Sequence, residues 1–354
     1  MLQDKLYADA VNLLASLIAI PSFSREEAVT ADLLAAFLAA QGVSAERLGN
    51  NVWARNRGFD PAKPTMLLNS HHDTVRPQSA YTRDPFTPTI EGDRLYGLGS
   101  NDAGASVVSL LAAFLYLNER KKLKYNLIVA ITGEEEISGA GGLEAVLPHL
   151  DEVAFAIVGE PTGLRMAIAE RGLMVLDCVA HGRAGHAARN EGENAIYAAL
   201  PDIAWFRSFR FPKESALFGE VKMGVTMISA GVQHNIVPAE CKFTVDVRVT
   251  DRYTNQEILE EVRRHVKCDV TPRSTHLKPS SIDPAHPLVQ AGVALGLETY
   301  GSPTTSDQVK LSIPSVKIGP GESARSHSAD EYVLLSEIRG GIDTYILLFE
   351  KLLT

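Results

Sequence analysis

The sequence predicts an α/β protein, a sandwich of helices on a largely parallel or mixed sheet, with a smaller α+β domain inserted into it. Three observations predict this. Helical and strand-like patterns alternate through the first half of the 354-residue chain, as in layered α/β architectures. The texture turns to strands plus two helices after about Arg171 and returns to α/β from about Ser281. The chain is also longer than the roughly 250–300 residues that a single core supports.

The elements follow in order. Residues 11–20 are apolar but interrupted by Asn12 and Ser16, and read as an amphipathic helix. Ser24 opens a capping box with Glu27, and Gly42 stops the Ala/Leu-rich helix that follows. Residues 51–55 and 65–69 read as short strands. Helical apolar spacing covers 103–119, and 125–132 is an apolar run suited to a strand buried on both faces. Residues 141–150 read as helix and 154–158 as another buried strand. In the insert, 173–180 and 241–250 carry strand patterns and 194–206 and 255–265 helical ones. An amphipathic helix, 335–353, closes the chain. The expected division is one domain from 1–172 and 277–354 and a second from 173–276.

Composition narrows the function. With 45% hydrophobic and 22% charged residues the chain is of the soluble globular type. Its formal charge of -9 argues against a nucleic-acid partner. The cluster Lys121-Lys122-Leu123-Lys124 is too short to change that and reads as a solvated loop. No segment approaches the roughly 20 apolar residues of a membrane span, and Asp4, Lys5 and Asp9 spoil a signal peptide. Cys178, Cys241 and Cys268 are odd in number and far apart, which offers no disulfide framework and fits a reducing cytoplasm.

In open α/β sheets ligands bind beyond the carboxyl ends of the strands. Three expected strands run into candidate metal ligands there: Ser70-His71-His72-Asp73, Gly133-Glu134-Glu135-Glu136 and Gly159-Glu160-Pro161. Asp102 follows the turn Gly97-Leu98-Gly99-Ser100-Asn101, and His327 lies in a loop after Gly319-Pro320-Gly321. Singly these are a loop histidine pair, a solvated acidic run, a turn and a helix cap. Together they supply two histidines and three carboxylates, a donor set for two zinc-like ions.

The order of these motifs, from Ile20-Pro21-Ser22 to His327-Ser328-Ala329-Asp330-Glu331-Tyr332, resembles the dinuclear-zinc aminoacylase and carboxypeptidase family. Within it the chain looks most like acetylornithine deacetylase. The resemblance implies a zinc-peptidase-like αβα catalytic domain with an inserted α+β lid and dimerisation domain. It implies two divalent metal ions, zinc or cobalt, held by His71, Asp102 and Glu160 on one side and by Asp102, Glu136 and His327 on the other. Asp73 would orient His71. Glu135 would be the general base, because the family's glutamate pair is preceded by an acid and soon followed by glycine.

From the insert, the resemblance gives His186 as donor to the oxyanion, Asn235 as a substrate contact and Arg248 as partner of the substrate carboxylate. Thr305 and Ser323 lie where related enzymes touch substrate. It also implies a cis peptide after Asp102, a homodimer formed through the insert, and an N-acyl amino acid substrate of arginine or lysine biosynthesis. Leu98, Tyr81 and Ala103-Gly104 depart from the family pattern without removing a ligand. His72 is expected to pack or hydrogen-bond nearby. His149, His181, His265, His276 and His286 are expected to be structural or exposed.

Overall fold

The computed structural model describes residues 2–120, 122–189 and 191–353; Lys121 of the basic loop cluster lies outside them. The chain divides into two compact units, one from Met1–Ile168, Ser281–Tyr300 and Ser306–Thr354, the other from Ala169–Ser280 and Gly301–Thr305.

The first unit is an αβα sandwich. Its sheet runs in the order Ala45–Leu48, Asn51–Arg55, Asn126–Thr132, Thr65–His71, Val153–Val158, Ser315–Lys317, Met166–Glu170. The four strands from Asn126–Thr132 to Ser315–Lys317 are mutually parallel, so their carboxyl ends share one edge. Every residue of Asn126–Thr132 and of Thr65–His71 is buried. Alternate side chains explain why. Met66, Leu68, Leu127, Val129 and Ile131 face the core that contains Leu14, Phe114 and Tyr345 from the helices Leu2–Ile18, Ala105–Asn118 and Leu335–Leu353. Leu67, Ile128 and Ala130 face the opposite core with Leu143 and Val146. A strand with apolar neighbours on both faces reads as a continuous apolar run.

Three expectations need correction. Ser24 does not cap the helix Ala28–Ala40; its hydroxyl donates to Asp73 Oδ2 instead, at 2.7 Å. Residues 141–150 form only a short helix, Leu143–Val146, followed by the 3-10 turn Leu147–His149, where Pro148 cannot extend the α-helix. The stretch Ser100–Asn118 is long and apolar enough to cross a membrane by length and composition, contrary to the reading from sequence. It is 83% buried inside the unit, and its regular part is the core helix Ala105–Asn118, entered through the turn Ser100–Gly104.

The second unit is α+β. Its four-stranded antiparallel sheet has the order Lys222–Ala230, Glu240–Val249, Gly172–His181, Asp269–Pro272. Met174, Leu176 and Cys178 alternate toward a core shared with Phe243, Val245 and Val247. The helices Ala195–Ser208 and Asn255–His265 contribute Ala199, Phe206, Ile258 and Val262 to it. The three cysteines are free and buried there.

Gly99, with φ at 76°, turns the chain into the helix that begins at Ala105. A Cβ on Gly104 would lie 2.4 Å from the Gly99 carbonyl oxygen and 2.6 Å from Leu14 Cδ1. Gly104→Ala is therefore expected to cost about 1–3 kcal/mol through overpacking. Urea unfolding would show it as a lower midpoint at unchanged slope; a wild-type midpoint would mean that the turn yields to a methyl group.

Candidate active site

The shared carboxyl edge of the parallel strands gathers the expected ligands of the first unit. His71 ends its strand, Glu134–Glu136 directly follow Asn126–Thr132 and Gly133, and Glu160 lies two residues past Val158. Asp102 lies in the turn Ser100–Gly104 that precedes the core helix, and its peptide bond to Ala103 is cis. His327 lies in the loop after Ser315–Lys317, with a left-handed φ of 56°.

Their donor atoms converge. His71 Nε2 is 3.2 Å from Asp102 Oδ1, 3.6 Å from Glu160 Oε1 and 3.9 Å from Glu135 Oε2. His327 Nε2 is 2.9 Å from Glu136 Oε2 and 3.7 Å from Asp102 Oδ2. The two Asp102 oxygens thus face opposite imidazoles. His71, Asp102 and Glu136 form one group able to hold an ion, and His71, Glu135 and Glu160 another. Around a tetrahedral Zn²⁺ with bonds of about 2.0–2.1 Å, neighbouring ligand atoms lie about 3.3 Å apart. The spacings here surround that value.

Electrostatics point the same way. Burial alone would lower the His71 pKa, but Glu160, Asp102 and Asp73 outweigh it and raise it well above the ordinary imidazole value. Burial, reinforced by Glu160, Asp307 and Glu136, raises the Glu135 carboxyl well above its ordinary value, against the opposing pull of His71. The hydrogen bond to Glu136 lifts His327 to about 9. A site that draws protons onto its imidazoles and one glutamate lacks positive charge, which divalent cations would supply. The donor set fits them.

Asp73 does more than orient an imidazole. His71 Nδ1 lies 3.0 Å from the Asp73 backbone oxygen and 3.5 Å from its Oδ1. The same carboxylate accepts the Ser24 hydroxyl and the backbone N–H groups of Glu135 and Glu136, at 3.0 and 3.2 Å. Burial would raise its pKa, but His71, Ser24 and the Glu135 amide hold it down to about 2. His72 packs beside this loop, with Nδ1 2.9 Å from the Thr30 hydroxyl and Nε2 donating to the Asn50 carbonyl at 2.9 Å.

Two acidic residues escape the sequence reading. Glu331 is buried and accepts the N–H groups of Gly99, Asn101 and Asp102 at 3.1, 2.8 and 2.9 Å. Burial and the Asp102 charge push its pKa up to about 8. The pairing of Tyr332 with Tyr96 brings it there; the motif 327–332 contains it, but nothing in that motif shows that it accepts these amides. Glu27, also buried, accepts the N–H of Glu134 at 3.1 Å and the Asn50 amide at 2.6 Å. Ser323 is exposed in the 3-10 turn Ser323–Arg325.

The second unit carries the remaining candidates. The two-residue ribbon pairs His186 with Ile236, and Ala187 donates to the Asn235 carbonyl at 3.0 Å, so His186 and Asn235 are neighbours. Both are exposed. Arg248 spends two of its nitrogens on Asp246, at 2.8 and 3.1 Å, and a third reaches Thr305 at 3.4 Å. Its fork is thus already engaged by a carboxylate on its own strand.

Residues 67–351 match the model of peptidase family M20/M25/M40. The chain belongs to that family. It is an amide hydrolase of the dinuclear-metal type. A succinyl-diaminopimelate desuccinylase of Ruegeria sp. (strain TM1040) is 28% identical, over 93% of this chain and 91% of the relative. A peptidase M20 domain-containing protein of Schizosaccharomyces pombe is 30% identical over 95% of this chain and 82% of its own length. Among solved structures, an M20-family metallo-carboxypeptidase from Sulfolobus solfataricus superposes with a TM-score of 0.78 at 19% identity, covering 97% of this chain and 98% of that one. An M20 peptidase of Bacillus subtilis, described as binding a dinuclear metal, gives 0.75 at 17% identity and 98% coverage of both.

Before metal enters, the neighbouring carboxylates raise the proton affinity of His71 and hold that of His327 at about 9, and an imidazolium cannot ligate. Loading the metal-free protein with Zn²⁺ is therefore expected to release protons. Affinity is expected to rise with pH as His327 loses its proton, near 9. Calorimetry in buffers of different ionisation enthalpy checks this; a heat independent of the buffer would contradict it.

Proposed function

We propose that this enzyme removes the acyl group from an Nα-acyl amino acid, with acetylornithine the first candidate substrate. Succinyl-diaminopimelate is the second, because several relatives carry the name of its desuccinylase. The observation that carries the reading is Glu135, a buried carboxyl of raised proton affinity within 3.9 Å of His71 and next in sequence to Glu136. His71, Asp102 and Glu160 would hold one divalent ion, and Asp102, Glu136 and His327 the other. Zinc suits these ligands, and so does cobalt. When bound, two such ions polarise the amide carbonyl and lower the pKa of water.

Glu135 takes a proton from the attacking water as the oxygen–carbon bond forms. It then gives that proton to the amine nitrogen as the carbon–nitrogen bond breaks, so atoms and charge balance. A proton affinity above that of an ordinary glutamate suits both halves of that exchange. His186 is the donor to the oxyanion that develops on the carbonyl. Asn235, Thr305 and Ser323 contact substrate. Arg248 binds the substrate carboxylate, which must compete with Asp246 for the guanidinium.

A homodimer formed through the inserted unit is part of the proposal. Met227 and Ile228 on the edge strand Lys222–Ala230 are exposed, as are Val232, Tyr197 and Leu200. The free, buried cysteines support a reducing cytoplasm.

The test is amine release by chelator-treated protein, with and without Zn²⁺ or Co²⁺. The panel is acetylornithine, acetylcitrulline, acetyl-lysine, succinylornithine, succinyl-diaminopimelate and a few dipeptides. Turnover is expected only with metal, and Glu135→Gln is expected to reduce it at least about 10²-fold while metal binding persists. Turnover of dipeptides alone would replace deacylation with peptidase activity. Protein that binds no metal would overturn the reading.

A further inference from the structure

The loop that carries Glu135 and Glu136 is held from one side by carboxylates and amides already described. Its backbone needs holding, since Glu134 and Ser138 adopt left-handed φ values of 57° and 51°, a conformation that costs free energy for non-glycine residues. On its other side stands an ion pair outside the ligand set. Lys310 and Asp307 lie in the 3-10 turn Asp307–Lys310, with side chains 5% and 1% exposed. Lys310 Nζ is 2.9 Å from Asp307 Oδ1 and donates to the Gly139 carbonyl at 3.1 Å. Asp307 Oδ2 accepts the hydroxyl of Thr132, the last residue of the strand that launches the loop, at 3.2 Å. Thr132 in turn accepts the Asn69 amide of the neighbouring strand at 3.0 Å.

The pair therefore grips the loop at both ends, at Thr132 before it and at Gly139 after it. A buried ammonium and carboxylate give no large net stabilisation over apolar residues of similar volume. Two hydrogen bonds flanking the glutamates give them a geometric role.

We infer that Lys310 and Asp307 are positioning residues for Glu135 and Glu136, clamping the loop so that both carboxyl groups point into the metal cluster. The inference rests on the proposed deacylase reading for its kinetic consequence, but not for its effect on metal binding. The variants are Lys310→Met and the neutral double variant Asp307→Asn/Lys310→Met, which leaves no lone buried charge if the single variant fails to fold.

The expected result in a cooperatively folding variant is a fall in kcat of about 10²-fold with little change in KM, as for a displaced catalytic group. Zn²⁺ binding, measured by competition with a chromophoric chelator, is expected to weaken at one of two sites. A double variant that folds with wild-type kcat and wild-type affinity at both sites would overturn the inference, and lowered thermal stability as its one defect would leave the pair a purely structural device. If the wild type turns over no substrate in the panel, the deacylase reading fails, and the chelator competition still decides the role of the pair.

Discussion

Like charges confined in a buried space repel, and this unit confines many. Asp73, Asp102, Glu135, Glu136 and Glu160 meet at one sheet edge, and His71 and His327 are the imidazoles that separate them. Much of the surrounding structure exists to hold that crowding in place. The parallel strands bring the residues together because parallel pairing puts their carboxyl ends on the same edge. The two imidazoles supply part of the missing positive charge, and divalent ions are suited to supply the rest.

Backbone amides do the remaining neutralising. Three buried carboxylates outside the ligand set each collect N–H groups from a neighbouring loop. Asp73 binds those of Glu135 and Glu136, Glu331 those of Gly99, Asn101 and Asp102, and Glu27 those of Arg25 and Glu134. The turn that carries Asp102 and the loop that carries Glu134–Glu136 are thereby held through their main chains.

The parts legible in the sequence are those written in consecutive residues. Residues 51–55 and 255–265 match the observed strand and helix, because apolar runs and helical spacing are local signals. The candidate ligands His71, Glu136 and Glu160 stand in short motifs just after apolar runs, and the structure brings those motifs to one sheet edge. What depends on distant partners was not legible. Ser24 resembles a cap until Asp73, 49 residues away, takes its hydroxyl. Glu331 looks like any acid in a polar loop until the Tyr96–Tyr332 pairing aims it at three amides. The strand Lys222–Ala230 went unread because it lies at a sheet edge, with a register shift between Val225 and Met227 that breaks the alternation. That Asp246, on the same strand, already engages the Arg248 guanidinium could not be read from the sequence.

The strand order carries a consequence for how the chain comes off the ribosome. Ser315–Lys317 sits between Val153–Val158 and Met166–Glu170, two strands made long before it. A sheet begun from the amino-terminal side must keep a slot open between them while the entire insert is synthesised. An unpaired strand edge invites association with other chains, and the wait lasts roughly ten seconds at ordinary translation rates. The insert folding first would draw the late segment toward the slot by shortening the loop to be closed. His327 follows that strand in the chain, so the candidate site has its second imidazole only once this late segment has been made.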